Sequence, residues 1–274
     1  MGQRIQRSQS PRPLKSRRPH VVVGQKSPAL NGMGYIFWTL CPVGEAFVAR
    51  EAKPDKNVLE IGPGFGSALI TSLEQGVGHY TALELSKDHI DVILERVQGH
   101  FRETLPQTLE KLTIRQGAAP HDLPHVEEYY DAILIDKCLH YFSPEETELF
   151  VKWVLRALKK GGRLYVTAVS VYSKVYRKVL PLYLERKAKY ERYPGRFEKL
   201  MDRFDPEALK NYPEFHLPDE MILYSTDDLK HVFTEDGLHI EETFAIAIPT
   251  EECTRWTLVA EEKSNVVGAI VLKT

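Results

Sequence analysis

Three glycines at alternate positions follow a strand-like run in Val58-Leu59-Glu60-Ile61-Gly62-Pro63-Gly64-Phe65-Gly66, and helical sequence begins at Ser67. Glycines at such a point let the chain turn tightly and leave no Cβ between the main chain and a ligand lying across the strand's carboxyl edge. A dinucleotide fingerprint needs G-x-G-x-x-G/A, and here the third glycine comes one position early. The loop therefore suits a nucleoside ligand with no phosphate to cradle. About twenty residues on, Glu84 closes the next β-rich run, HYTALELS. A carboxylate there can accept hydrogen bonds from both ribose hydroxyls, which a lysine or arginine could not do.

A second set follows the run YDAILID, where Asp136, Lys137, His140 and Tyr141 stand at the carboxyl end of a central strand. Open α/β sheets bind their ligands at that edge. An unperturbed histidine titrates near neutrality, so His140 is the natural general base of this set and Tyr141 the second candidate. The competing reading makes His140 a packed core histidine.

The elements that must hold these groups alternate. Strand-like runs at 57–61, 79–85, 112–116, 131–136 and 163–168 are separated by helical segments at 67–75, 87–103 and 144–158, the last with Pro144 near its start and Gly161-Gly162 past its end. This pattern predicts an α/β fold, a Rossmann-like doubly wound sheet that is mostly parallel. Strand-like runs at 238–248, 255–262 and 266–272 follow a helix at 225–233 without helices between them, so the sheet should end in an antiparallel edge. Residues 34–52 are apolar with loosely helical spacing and predict one or two helices, from which Tyr35 and Trp38 could close the far side of a pocket. After the fifth strand, residues 171–220 predict a helical cap without strands. Within it, positions 173–203 hold ten Lys or Arg against four Asp or Glu.

The 274 residues carry 36 basic and 38 acidic side chains with 43% hydrophobic residues, which excludes a collagen, a disulfide scaffold and a wholly disordered chain. Residues 1–30 hold seven Lys or Arg and no acid, leaving 29 basic against 38 acidic groups in the remainder. We read 1–30 as a disordered basic arm and 31–274 as one domain bearing the cap. Cys41, Cys138 and Cys253 are few, far apart and without metal-ligand spacing, so no metal is expected and a reducing, cytoplasmic location is. No stretch is long and apolar enough to span a bilayer.

Together these residues resemble the class I S-adenosylmethionine-dependent methyltransferases, in the small-molecule branch, over about residues 50–262. The glycine motif matches at Glu60 to Gly66, the acidic second motif at Glu84, the fourth-strand region at YDAILIDKCLHYF, the approach to strand five at LRALKKGGRLY, and a C-terminal segment at DDLKHVFTEDGLHIEETF. The resemblance implies a seven-stranded sheet and S-adenosylmethionine as cofactor. Glu60 would lie near the methionine amino group, joined by Asp136. Gly62, Pro63, Gly64 and Gly66 would lie under the cofactor, Glu84 and Leu85 at the ribose, and Ala118 and Ala119 at the adenine. The family often places an acid where this chain has Ala118, which leaves adenine to backbone groups there or to Asp122.

The implied reaction is in-line methyl transfer to a small-molecule O, N or C acceptor, one that the basic cap allows to be acidic. Two alternatives stand beside it. Leu59-Glu60-Ile61-Gly62-Pro63-Gly64 also resembles the glycine motif of ribosomal RNA adenine dimethyltransferases. That family's Asn-Leu-Pro-Tyr-like tetrad is replaced here by Asp136-Lys137-Cys138-Leu139, and the acidic body disfavours nucleic acid. The other alternative is a cofactor-binding protein without catalysis.

Overall fold

The computed structural model describes residues 26–203, 219–234, 237–247 and 264–274. Its centre is a seven-stranded sheet. Five strands are parallel neighbours: β3 (Asn57–Ile61), β4 (His79–Glu84), β5 (Leu112–Gln116), β6 (Tyr130–Ile135) and β7 (Leu158–Val169). β10 (Leu238–Ile246) and β11 (Val266–Lys273) complete it, in the order β10-β11-β7-β6-β3-β4-β5. β11 pairs antiparallel with both β7 and β10, giving the expected edge. The expected strand at 255–262 and the bulk of the expected arm lie outside the described residues.

Alternation along the central strands builds a core on each face. On β6, Ala132 and Leu134 join the cluster under α1 (Pro42–Glu51), α2 (Ser67–Glu74) and α3 (Lys87–His100). Ile133 and Ile135 point the other way, toward α5 (Pro144–Ala157) and α7 (Thr226–Val232). Local chemistry fixes the helix starts. Ser143 forms a capping box with Glu146 and is followed by Pro144, while Ser225 forms one with Asp228. A short helix, α4 (Leu105–Glu110), lies within the stretch that sequence reading left unassigned before β5. Gly161 and Gly162 lie past the end of α5, as expected, but already inside β7, and the β6–β7 register shifts between Tyr130 and Ala132.

Three expectations change. Residues 26–37 form a hairpin of β1 (Lys26–Pro28) and β2 (Tyr35–Phe37), so the arm boundary at 30 and the helical reading of 35–37 both give way. A run as short as Tyr-Ile-Phe has no period that separates strand from helix. The cap likewise contains strands. Besides α6 (Leu180–Ala188), β8 (Arg196–Glu198) pairs antiparallel with β9 (Glu220–Ile222). Phe197 and Met221, opposite each other, turn into a separate core with Val179, Tyr183 and Leu223. The Tyr183 hydroxyl donates to Asp228 at 2.9 Å and joins the cap to α7.

Five cations on the basic face of the cap have carboxylate partners. Arg186, Lys187, Lys189, Arg192 and Arg196 pair with Glu191, Asp227, Glu185, Glu148 and Glu220. Residues 204–218 lie outside the described part of the cap.

Candidate active site

The chain runs from β3 outward through β4 to β5 and then returns to place β6 and β7 on the other side of β3. That reversal is the switch point at which open α/β sheets leave a crevice beyond their strand ends. A cavity of about 320 Å³ lies there, the size expected of a small-ligand site. Its walls are the loop after β3, the end of β4, the segments after β5 and β6, the first turn of α5, and the 26–37 hairpin.

The glycine loop is shaped to be approached closely. Gly62 and Gly64 have φ of +68° and +58°, a region that favours glycine. A Cβ on Gly62 would stand 2.4 Å from Cys138 Sγ, and one on Gly64 would meet Ile36 at 3.1 Å. Pro63 lines the cavity with them. Gly66 does not: it caps α2 and packs toward Ile93, so its place in the motif serves helix packing.

Glu84 is buried at the end of β4, among donors. Its Oε2 accepts from Gly64 N at 3.1 Å, and its Oε1 from Ser86 N at 2.9 Å and from His89 Nδ1 at 3.2 Å. A carboxylate offers about four acceptor positions, so one hydroxyl can be accepted as the site stands and a second requires one of these bonds to yield. Glu60, also buried, accepts from the Tyr80 hydroxyl at 2.6 Å. Burial pushes its carboxyl up to about 8.

Asp136 lines the cavity from the end of β6. It pairs with Lys137, accepts from Thr167 Oγ1 at 2.5 Å, and faces the Cys41 thiol at 3.4 Å. Burial opposes its charge, but Lys137 and these hydrogen bonds hold the carboxyl below its usual range. Lys137 has φ of +55° and its N–H donates to Thr167 Oγ1 at 2.8 Å, a strained turn kept in place by the pair it makes.

The two catalytic candidates part company. Tyr141 lines the cavity. Burial raises its hydroxyl pKa, so it stays protonated and can donate. His140 lies outside the cavity lining, 2% exposed, with its ring 4.1 Å from that of Tyr141. Its Nδ1 has no hydrogen-bond partner, and burial lowers its pKa to about 3. Burial outside the cavity lining argues against His140 as a general base, because a desolvated imidazole there is hard to protonate.

Of the other expected residues, Leu85, Ala118 and Ala119 line the cavity. Asp122 is exposed and folds back to accept from Ala118 N at 2.8 Å, so it is a turn former and not a ligand group. Tyr35 lines the cavity, whereas Trp38 lies tilted against Phe65, their rings 5.1 Å apart. Sequence reading missed Met33 and Phe37 of the hairpin, His89, and Glu146. Glu146 is held below its usual range, against the cost of burial, by Ser143 N and His121. Its Ser-x-x-Glu spacing signals a helix cap and carries no sign of a cavity.

The lining charges decide what fits. Glu60, Glu84, Asp136 and Glu146 stand against Lys137 as the lone Lys or Arg of the wall. Such a site is complementary to a cationic ligand, and the glycine cradle leaves room for a nucleoside. S-adenosylmethionine, a nucleoside with a sulfonium and an ammonium, meets both conditions. Among the described residues no cluster of three or more His, Cys, Asp or Glu could hold a metal ion, and no helix is long and apolar enough to cross a membrane.

Fold and cavity thus define a doubly wound α/β domain with an acidic, glycine-lined cavity at the switch point. Residues 58–162 match the family model described as a methyltransferase domain. A curated relative, the ribosomal RNA small subunit methyltransferase A of Pseudoalteromonas translucida, is 32% identical over 99 residues, 36% of this chain. The chain spans a third of that relative's length, 33%.

Two solved structures share the fold. An S-adenosylmethionine-dependent methyltransferase of Methanosarcina mazei aligns with TM-score 0.56 and 19% identity over 85% of this chain and 98% of its own. One from Mesorhizobium loti aligns with TM-score 0.53 and 14% identity, over 85% and 96%.

Proposed function

We propose that the protein transfers a methyl group from S-adenosylmethionine to a small-molecule O, N or C acceptor inside the hairpin-covered cavity. The observation that carries this reading is the wall itself, with four carboxylates and one lysine around a space of about 320 Å³. The bound cofactor supplies a methyl group already made electrophilic by its sulfonium. The chain's work is then to bind, align and exclude water.

Glu84 and the Gly62-Pro63-Gly64 turn hold the nucleoside, Leu85, Ala118 and Ala119 flank the base, and Glu60 and Asp136 face the ammonium. Phe37 and Tyr141 bound the acceptor, with the Tyr141 hydroxyl as a donor to it. The acidic wall favours a neutral or cationic acceptor over the acidic one that the cap's composition suggests, since five of the cap's cations already have carboxylate partners.

A second reading, methylation of an RNA base, is favoured by the partial match to a ribosomal RNA methyltransferase. Against it stands the absence of an amide at position 136, where a carboxylate is committed to Lys137 and Thr167. The acidic wall is also unsuited to a polyanion. A transfer screen with methyl-labelled S-adenosylmethionine separates the readings. Label should enter small metabolites of a cell extract and not purified RNA. Label in RNA alone would reverse the assignment, and none in either would favour a non-catalytic binder.

A further inference from the structure

We infer that His89 is a positioning residue that ties closure of the 26–37 hairpin to the orientation of Glu84. This rests on the reading of the cavity as the S-adenosylmethionine site.

An isolated two-stranded hairpin is marginal in water, so β1 and β2 need anchors on the domain. At the base, Trp38 provides them. Its indole donates to Ser27 Oγ at 2.8 Å, its carbonyl accepts from Ser67 Oγ at 3.2 Å, and its ring lies against Phe65. At the tip, among the described residues, the anchor is the hydrogen bond from Leu30 N to His89 Nε2 at 3.1 Å.

A backbone N–H can only donate, so Nε2 must present its lone pair and the ring proton must sit on Nδ1. Nδ1 therefore donates to Glu84 Oε1 at 3.2 Å. The ring is 3% exposed and held edge-on by Phe65 at 5.4 Å. Glu84 demands the same tautomer, so closing the hairpin fixes from both sides the ring that completes the donor set around Glu84. Opening it frees Nε2 and leaves the ring held by Glu84 from one side only. Ala29, Met33, Tyr35 and Phe37 cover the same cavity that Glu84 lines, so one imidazole senses whether the cover is in place.

The test is the dissociation rate of S-adenosylhomocysteine from the full chain, measured by stopped flow, with calorimetric affinity alongside. Leu30→Pro removes only the N–H. Leu30 is the second residue of the Ala29–Gly32 turn, closed by Gly32 N to Ala29 O at 2.9 Å, where proline is favoured, and its side chain is 53% exposed. We expect it to speed dissociation about three- to tenfold, the worth of one hydrogen bond. His89→Phe should do at least as much. In the double variant the Leu30→Pro effect should vanish, as it should in a Glu84→Gln background, where a histidine that only anchored the hairpin would leave it in full.

Unchanged dissociation in Leu30→Pro, or additive effects in the double variant, would overturn the coupling while leaving the cofactor site standing. If His89→Phe fails to fold, Leu30→Pro alone decides. Failure of the unaltered chain to bind S-adenosylhomocysteine would instead overturn the cofactor reading, and this inference with it.

Discussion

The Tyr80 hydroxyl reaches across from β4 to donate to Glu60 Oε2 on β3, 2.6 Å away, and both side chains are buried. With its carboxyl pushed up to about 8 by burial, Glu60 is mostly neutral at pH 7 in the ligand-free protein. A cationic ligand beside it favours the ionised form, so binding should release a proton. Calorimetry at pH 7 in buffers of different ionisation enthalpy should show release approaching one proton per S-adenosylmethionine bound, with affinity rising toward pH 8 and then levelling. Glu60→Gln should abolish the release.

The same shift has a sign for stability. A carboxyl raised in the folded state keeps a proton that the unfolded chain loses from about 4.5 upward, so stability falls as pH rises from there to about 8. The slope from this group is at most about 1.4 kcal/mol per pH unit. Melting curves of Glu60→Gln should lack that part of the decline; a decline identical to that of the unaltered protein would place its origin elsewhere.

At Glu84 the expectation is loss of ligand with the fold retained. Glu84→Gln keeps the shape but turns an amide donor toward one of Gly64 N, Ser86 N or His89 Nδ1. S-adenosylhomocysteine affinity should fall about 100-fold, the worth of two charge-assisted hydrogen bonds. Affinity within threefold of normal would remove Glu84 from the ribose.

His140 and Tyr141 give opposite forecasts from adjacent positions. With an identified acceptor, His140→Phe should leave turnover and its pH profile within about threefold, since the ring is outside the cavity lining and its Nδ1 is already unpartnered. Tyr141→Phe should lower kcat about tenfold by removing one donor. Loss of the acidic limb of the profile in His140→Phe would restore the histidine as a base.

How far the sequence carries the site is visible at these same residues. The turn after β3, Glu84 and the antiparallel C-terminal edge were legible because each is a local pattern, glycines at fixed offsets or strands without helices between them. The choice between His140 and Tyr141 was not. They sit in a 3-10 turn, Leu139–Tyr141, where one residue's step swings the side chain from cavity to core. The hairpin escaped for another reason: three-residue strands carry no period, and its function depends on contacts with Ser67 and His89 that lie far along the chain. The Asp136–Lys137 pair was present as two adjacent letters, but its partners Thr167 and Cys41 come from other elements.

That pair supplies a stability prediction. Lys137→Met leaves Asp136 with Thr167 and Cys41 but no cation, and should lower stability by about 1–3 kcal/mol at neutral pH. Adding Asp136→Asn should recover part of it. Chemical denaturation of the two variants checks this, and equal losses in both would mean that the missing counter-charge is not the cause.

The central claim, that the switch-point cavity is built for S-adenosylmethionine, is tested most directly by calorimetric titration of the full chain with S-adenosylmethionine and S-adenosylhomocysteine. The structure predicts one site per chain, of micromolar or tighter affinity, weakened by Glu84→Gln. No detectable binding of either ligand, or binding indifferent to Glu84→Gln, would contradict it.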